Sequence, residues 1–481
     1  MSAHYDRPVP RTDPPWWRLP ATWVGFVGSA LVGLGATSNG FSFNKDGWGV
    51  GPIAWVAQQI DRQGGNLLIA AGCVLAAVAW FLVIPRPGRT PPVQLWLVWS
   101  APLALLPPVM SGDPFLYADL GWIMSQGGNP YRDVLGSMGG PFVSFVDPFW
   151  AGNGVAYPPL SLLVNWGMAE LAGMHPYWGV IIQRLPALAG MALIAYFLPK
   201  LADRLGADRQ WAIWLSVLNP IAIVHLVGGA HNDALMAGVV VFAIWLSLRP
   251  IPKISASLVL APIVIGLAMA LKQQAGLAVV AAAGLPVAAQ MANLPHLQKV
   301  IVLGWRTAVA AVVALGTFAA VSLATGLGFG WTLWLGQMGR ARTLTLSVAI
   351  GDLLAWTGTD LTGLANVLLA TVSLAGIAAL LLLHPDRPLA ITAWGSILVL
   401  FIGQALHPWY VGLGLTLIAL LPLKPSATRA VVFIGLGYFM AYTVQNLWNQ
   451  HVLPAGFVGV VFGLVGYATF LGLRNRATRL G

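Results

Sequence analysis

Charge is what this 481-residue sequence has least of: Asp, Glu, Lys and Arg make up 8% of it, against roughly 25% in soluble domains. So few charged groups cannot cover a water-facing surface, and a soluble enzyme is excluded. The 58% hydrophobic content equally excludes a disordered chain. A single cysteine, Cys73, rules out an intrachain disulfide. No GxxxxGK(S/T) segment is present, so nothing supports ATP-driven chemistry. Nor is there an internal repeat or inverted duplication, which weakens the case for a secondary transporter. The scarcer sign is acidic, 15 carboxylates against 25 Lys and Arg. On a soluble protein that basic excess would suggest nucleic acid; in a membrane protein it reports loop orientation, and no nucleic-acid partner is expected.

What is abundant is apolar sequence. Fourteen runs bounded by Gly, Pro or charge, from 22–37 to 453–473, approach the roughly 20 residues that cross a bilayer. They predict an all-α, polytopic integral membrane protein of about fourteen transmembrane helices, one domain over 1–481 with no separate soluble domain. A further stretch, 158–173, follows Tyr157, opens with Pro158-Pro159 and contains Glu170, and reads as an interfacial or re-entrant helix. The ends, 1–21 and 474–481, are then both cytoplasmic tails. All but seven of the 25 basic residues fall on that inner side, as the positive-inside rule asks. The seven are Lys45, Arg62, Arg132, Arg184, Lys272, Arg340 and Arg342. Ten of the 15 carboxylates take the outer side, which also holds the long connections 38–65, 111–177 and 328–361. Function is therefore expected on the extracytoplasmic face of the plasma membrane, in loops 111–177 and 328–361 with their interfacial helices.

Few groups on that face can do chemistry. Asp113-Pro114 reads plainly as a helix start, with Asp as N-cap and Pro at N1. An ionisable group at a membrane boundary is also costly to bury without a partner, which makes Asp113 a functional candidate. Asp119, six residues on, falls on roughly the opposite helix face, so the two would divide labour. His231-Asn232-Asp233 sits in a turn between two apolar runs, either capping the next helix or offering polar partners to a ligand. Lys272 interrupts two apolar runs at an outer tip, where snorkelling to lipid phosphate is the alternative to a binding role. His407-Pro408-Trp409-Tyr410 supplies either belt aromatics or flat ring faces for a ligand.

One stretch is specific. Leu218-Asn219-Pro220, followed by His225-Leu226-Val227-Gly228-Gly229-Ala230-His231-Asn232-Asp233-Ala234-Leu235-Met236, resembles the actinobacterial polyprenol-phosphomannose-dependent α-1,6-mannosyltransferases of the GT-C glycosyltransferase superfamily. Asp113 through Tyr117-Ala118-Asp119, then Gly128-Asn129-Pro130-Tyr131 and Tyr157-Pro158-Pro159-Leu160, is similar to the first outer loop of that superfamily. Lys272-Gln273-Gln274-Ala275 and His407-Pro408-Trp409-Tyr410 extend the likeness more loosely, and it is weak between 331 and 347.

The resemblance implies a GT-C fold and an inverting transfer of mannose from polyprenyl (decaprenyl) phosphate mannose to a mannosylated phosphatidylinositol lipid. The product would be the α-1,6-mannan backbone of lipomannan and lipoarabinomannan. The leaving group is a weakly basic phosphate, so one base and some positive charge suffice. The resemblance then casts Asp113 as base, and Lys272, Arg184, Arg340 and Arg342 as donor-phosphate ligands. Asp119, Tyr117, Tyr131, Arg132, Tyr157, His231, Asn232, Asp233, Gln273, His407, Trp409 and Tyr410 become substrate-binding candidates. No metal site and no cofactor are expected. A lipid-linked sugar transporter or a non-catalytic cell-wall scaffold remain the rival readings.

Overall fold

The computed structural model describes residues 15–38, 48–86, 90–340, 343–403 and 405–479. Arg342 and Lys45 lie outside the described residues, as do residues 1–14 of the expected inner tail. The described chain is all helical. Among the described residues seven helices are long and apolar enough to cross a membrane, or eight if the bent pair Arg209–Val217 and Ala222–Gly228 is one span. Five more apolar helices run 10–17 residues. Every apolar run seen in the sequence contains helix, but among the described residues seven or eight spans, rather than the expected fourteen, have the length and apolarity of a crossing. Run 93–110 is the clearest departure: helix stops after Leu95–Ser100 and Ala101–Leu103, ahead of Pro107-Pro108, because proline lacks the N–H that would continue the ladder. Segment 158–173 forms helix Pro159–Leu171, at about 20 Å too short to span a bilayer.

The helices pack around one large apolar core, with two smaller clusters beside it. Small residues set the closest approaches: a Cβ on Gly190 would meet the backbone of Ala234, and one on Gly238 would meet the backbone of Gly190. Helices Arg184–Leu205 and Asp233–Ser247 are thereby in near backbone contact, the usual way to pack helices in lipid. Helix Thr362–Leu383 is the opposite case, with seven of its ten Leu and Val side chains exposed. A hydrocarbon surround accommodates that face.

Two breaks create the site. The bent pair turns by 52° at Leu218-Asn219-Pro220, where Pro220 interrupts the ladder and the Asn219 carboxamide accepts the Ile221 N–H at 2.8 Å. The second break is at Lys272, which is extended (φ −158°, ψ 126°) between helix Ala261–Leu271 and the 3-10 turn Gln273–Leu277. Helix Asp113–Ser125 lies across this region between two small aromatic clusters, one around Trp48 and Phe142 and one around Tyr131 and Leu162, and is buried on all sides.

Candidate active site

A cavity of about 520 Å³ opens beside the start of helix Asp113–Ser125. Asp113, Tyr157, Lys272, Gln273, His407, Trp409 and Tyr410 all line it, although they come from chain segments up to three hundred residues apart. A larger cavity of about 850 Å³ is walled mostly by aliphatic groups with Arg86 and Asp208. The two are at opposite ends of the bundle: Thr428 lines one and Asn446 the other, about 27 Å apart along helix Pro425–Trp448. Asp208 is committed to capping helix Arg209–Ala212, which leaves the Asp113 cavity with the concentration of polar groups.

Asp113 is the first residue of its helix and does not cap it; Gly112 holds the N-cap position and no side chain caps. Its carboxylate turns into the cavity instead. Oδ2 accepts the hydroxyls of Tyr117 and Tyr157, each at 3.3 Å. His231 Nδ1 stands 3.3 Å from the same oxygen, an ion-pair distance without hydrogen-bond alignment. Burial pushes the Asp113 carboxyl up, but His231, then His407 and Lys272, outweigh it and hold the group below the usual carboxylate range. Asp113 is therefore an anion at neutral pH.

Lys272 is almost wholly buried and directs Nζ to both oxygens of Asp233, at 2.7 and 2.6 Å. Gln274 Nε2 adds a contact to Asp233 Oδ1 at 3.3 Å, and the Lys272 ammonium lies 4.3 Å from the centre of the Tyr410 ring. Asp233 is thus a partner for lysine rather than a cap or a direct sugar ligand. Gln273 lines the cavity while its Nε2 donates to the Ala156 carbonyl at 2.8 Å.

The rings form a stack. Trp409 has the His231 imidazole on one neighbour plane at 3.6 Å and 12°, and the His407 imidazole at 4.4 Å and 5°. Both indole faces are taken, so Trp409 is a spacer between imidazoles and not a platform for a sugar. Pro408 favours the extended backbone of His407 (φ −111°, ψ 152°) that sets the stack. His407 Nδ1 is 3.1 Å from the Tyr442 hydroxyl, and burial, partly opposed by Asp113, pushes its imidazole down to about 3.

Several expected ligands lie elsewhere. Arg184 is fully buried, with Nε, Nη1 and Nη2 donating to the carbonyls of Val227, Ala104, Leu106, Pro107 and Gly228 at 2.9–3.4 Å. No donor remains for a phosphate. Asp119 is buried away from the cavity and accepts the Gly136 N–H at 2.8 Å, which ties down the following loop. Tyr131 packs inside a cluster and donates its hydroxyl to the Tyr157 carbonyl at 2.7 Å. Arg132 is exposed and outside the lining. Asn232 donates to Ser161 Oγ at 3.0 Å behind the cavity wall. The Arg340 side chain and Arg342 lie outside the described residues.

The lining also contains residues that sequence reasoning passed over: Asp147, Phe149 and Trp150 from the first long loop, Trp334 from the second, and Asn446 and Asn449 from the end of helix Pro425–Trp448. With 22 Trp in the chain, only three-dimensional placement separates Trp150 and Trp334 from the membrane belt.

The N-terminal domain of the alpha-(1->6)-mannopyranosyltransferase family matches residues 22–289, which carry Asp113, Tyr157, His231, Asp233 and Lys272. Alpha-(1->6)-mannopyranosyltransferase A of Mycobacterium tuberculosis is 30% identical over 86% of this chain and 81% of its own length. The chain belongs to the alpha-(1->6)-mannopyranosyltransferase family. It is thus a membrane-embedded glycosyltransferase, and the non-catalytic reading falls away. Alpha-(1->6)-mannopyranosyltransferase B of Corynebacterium glutamicum is 25% identical over 95% of this chain and 81% of its own. Among solved structures, apo ArnT from Cupriavidus metallidurans overlays with a TM-score of 0.40 and 16% identity, covering 79% of this chain and 76% of that one.

Proposed function

We propose that this mannosyltransferase is a GT-C enzyme of the plasma membrane, its cavity facing the extracytoplasmic side. In this reading it takes mannose from a polyprenyl phosphate mannose and extends a mannosylated phosphatidylinositol glycolipid with an α-1,6 linkage, as in the lipomannan backbone. The observation that carries the reading is that an anionic carboxylate, Asp113, and a buried ammonium, Lys272, line one cavity. Asp113 takes the proton from the acceptor hydroxyl as that oxygen bonds to mannose C1. The C1–O bond to phosphate breaks with its electron pair leaving on the phosphate, and the β-linked donor yields an α-linked product. Lys272 spends two ammonium protons on Asp233 and has a third for the phosphate oxygen gaining charge. A phosphate leaving group needs no general acid, and we place no metal or cofactor in the step.

The test is purified protein in nanodiscs with radiolabelled polyprenyl phosphate mannose and a mannosyl-phosphatidylinositol acceptor. Elongated glycolipid is expected from the wild type. Asp113→Asn should lose about 10³-fold in rate, and full activity in that variant would sink the assignment. Uptake of the lipid-linked sugar without product would favour the transporter instead. Chelation by EDTA should leave the rate unchanged; loss restored by a divalent ion would overturn the metal-free course.

A further inference from the structure

The two oxygens of Asp113 are not equivalent. The Tyr117 and Tyr157 hydroxyls and His231 Nδ1 all converge on Oδ2, each at 3.3 Å, and among the described residues no group donates to Oδ1. These three neighbours come from different elements. Tyr117 is one helical turn after Asp113, where an i, i+4 side chain must return to the same face. Tyr157 precedes Pro158, which disfavours helical backbone at that position, and its carbonyl accepts the Tyr131 hydroxyl at 2.7 Å. His231 follows Ala230, whose left-handed backbone (φ 54°) closes the turn after the bent helix pair, and its ring is fixed flat against Trp409. Three independently anchored groups aimed at one carboxylate oxygen are more than burial of a single charge asks for.

We infer that Asp113 works as a one-oxygen base: Tyr117, Tyr157 and His231 hold Oδ2 as positioning residues, and Oδ1 alone receives the acceptor proton. This rests on the proposed base role of Asp113. It reassigns Tyr117, Tyr157 and His231 from sugar contact to orientation of the carboxylate. The step balances within the transfer already described, since the acceptor O–H proton ends on Oδ1 and none of the three neighbours exchanges a proton. Other charged or titratable groups bear on the carboxylate. Lys272, His407 and His231 favour its anion, whereas the Asp147 carboxylate on the first long loop does not. Tyr410 and Asp233 complete the surroundings across the cavity.

The experiment removes one donor at a time: Tyr117→Phe, Tyr157→Phe and His231→Gln. Two readouts are taken. The first is the acid limb of the pH–rate profile with lipid donor and acceptor, alongside KM for the donor. The second is the titration of the Asp113 carboxyl in [13C]aspartate-labelled protein in nanodiscs, assigned by its disappearance in Asp113→Asn, which needs no turnover. Each substitution is expected to move both the acid limb and the carboxyl titration up by about one pH unit, with KM for the donor within twofold of wild type. A double Tyr→Phe variant should move further than either single one. An unmoved titration in the two Tyr→Phe variants, whose shapes are conserved, overturns the inference whether or not His231→Gln folds. So does a donor KM that rises tenfold while the acid limb stays put, since that is the mark of direct substrate contact. If the wild type makes no mannoside at all, the functional reading fails, and the carboxyl titration still decides what the three neighbours do.

Discussion

Lys272 Nζ stands 2.7 and 2.6 Å from the two oxygens of Asp233, a buried bidentate pair beside the Tyr410 ring. Two buried ions attract strongly at low dielectric, yet taking both out of water costs nearly as much, so the pair adds little net stability. Its effect is geometric. Lys272 is the C-terminal residue of a helix break, where a cation is favoured by the helix dipole, and Asp233 fixes its long flexible stem at the cavity edge.

Lys272→Met should therefore fold, since it exchanges a buried ammonium for a similar volume of hydrocarbon, but it strands the Asp233 charge. The double variant Lys272→Met with Asp233→Asn should recover most of the lost stability, on the order of 3 kcal/mol, and none of the transfer rate. Thermal unfolding and glycolipid synthesis measured on both variants separate the two roles. Recovery of activity in the double variant would show that Lys272 is structural only.

Asp119 offers a pH test independent of catalysis. Burial raises its carboxyl to about 6, partly opposed by the Gly136 N–H. A carboxyl whose folded value lies above its unfolded one binds its proton more tightly when folded. Its contribution favours folding below the unfolded value of about 4 and is lost as pH rises through 6. Asp119→Asn keeps an oxygen for Gly136 and removes the buried charge. It should raise stability at pH 7.5 by on the order of 2 kcal/mol and change little at pH 4, read as the difference in unfolding midpoint.

How much of this was legible beforehand follows the kind of interaction involved. Asp113, Lys272 and the His407 to Tyr410 segment stood out because an ionisable or aromatic cluster at the edge of an apolar run has few local explanations. Arg184 misled for the same reason: the sequence shows a scarce cation but not five carbonyls, contributed by residues 104–107 and 227–228, that take up its donors. The stack around Trp409 joins residues 231 and 407, and no local pattern predicts that pairing. Helix positions were visible from hydropathy, whereas the breaks that shorten them depend on Pro107, Pro220 and the extended Lys272, whose effects depend on tertiary surroundings.

Trp409 and the loop tryptophans should separate kinetically. Trp409→Leu removes the surface that holds two imidazoles parallel and is expected to lower kcat about tenfold while leaving KM for the acceptor nearly unchanged. Trp150→Ala and Trp334→Ala remove half-buried rings from the cavity lining, and each should raise KM for the acceptor about tenfold, since an aromatic contact contributes roughly 1 kcal/mol or more. Steady-state kinetics with varied acceptor distinguishes them. A rise in acceptor KM in Trp409→Leu with kcat intact would return the indole to sugar binding.

Arg184 gives the last test, because its role is fixed by counting donors. A guanidinium presents five N–H groups in a rigid fork, and here it bonds to carbonyls on both sides of a junction: Ala104, Leu106 and Pro107 lead toward Asp113, and Val227 and Gly228 lead toward His231. One side chain thereby fastens the stretch leading to Asp113 to the turn carrying His231. Lysine has three donors on a point charge and cannot span that set. Arg184→Lys should leave at least two buried carbonyls unpartnered, each costing about 1–3 kcal/mol, and lower the unfolding midpoint markedly. A phosphate ligand would behave in the opposite way. Lysine would serve it nearly as well, stability would hold, and saturating lipid donor would restore the rate; with Arg184 as a structural clamp, the surviving folded fraction should show an unchanged KM for the donor and a rate that no donor concentration repairs.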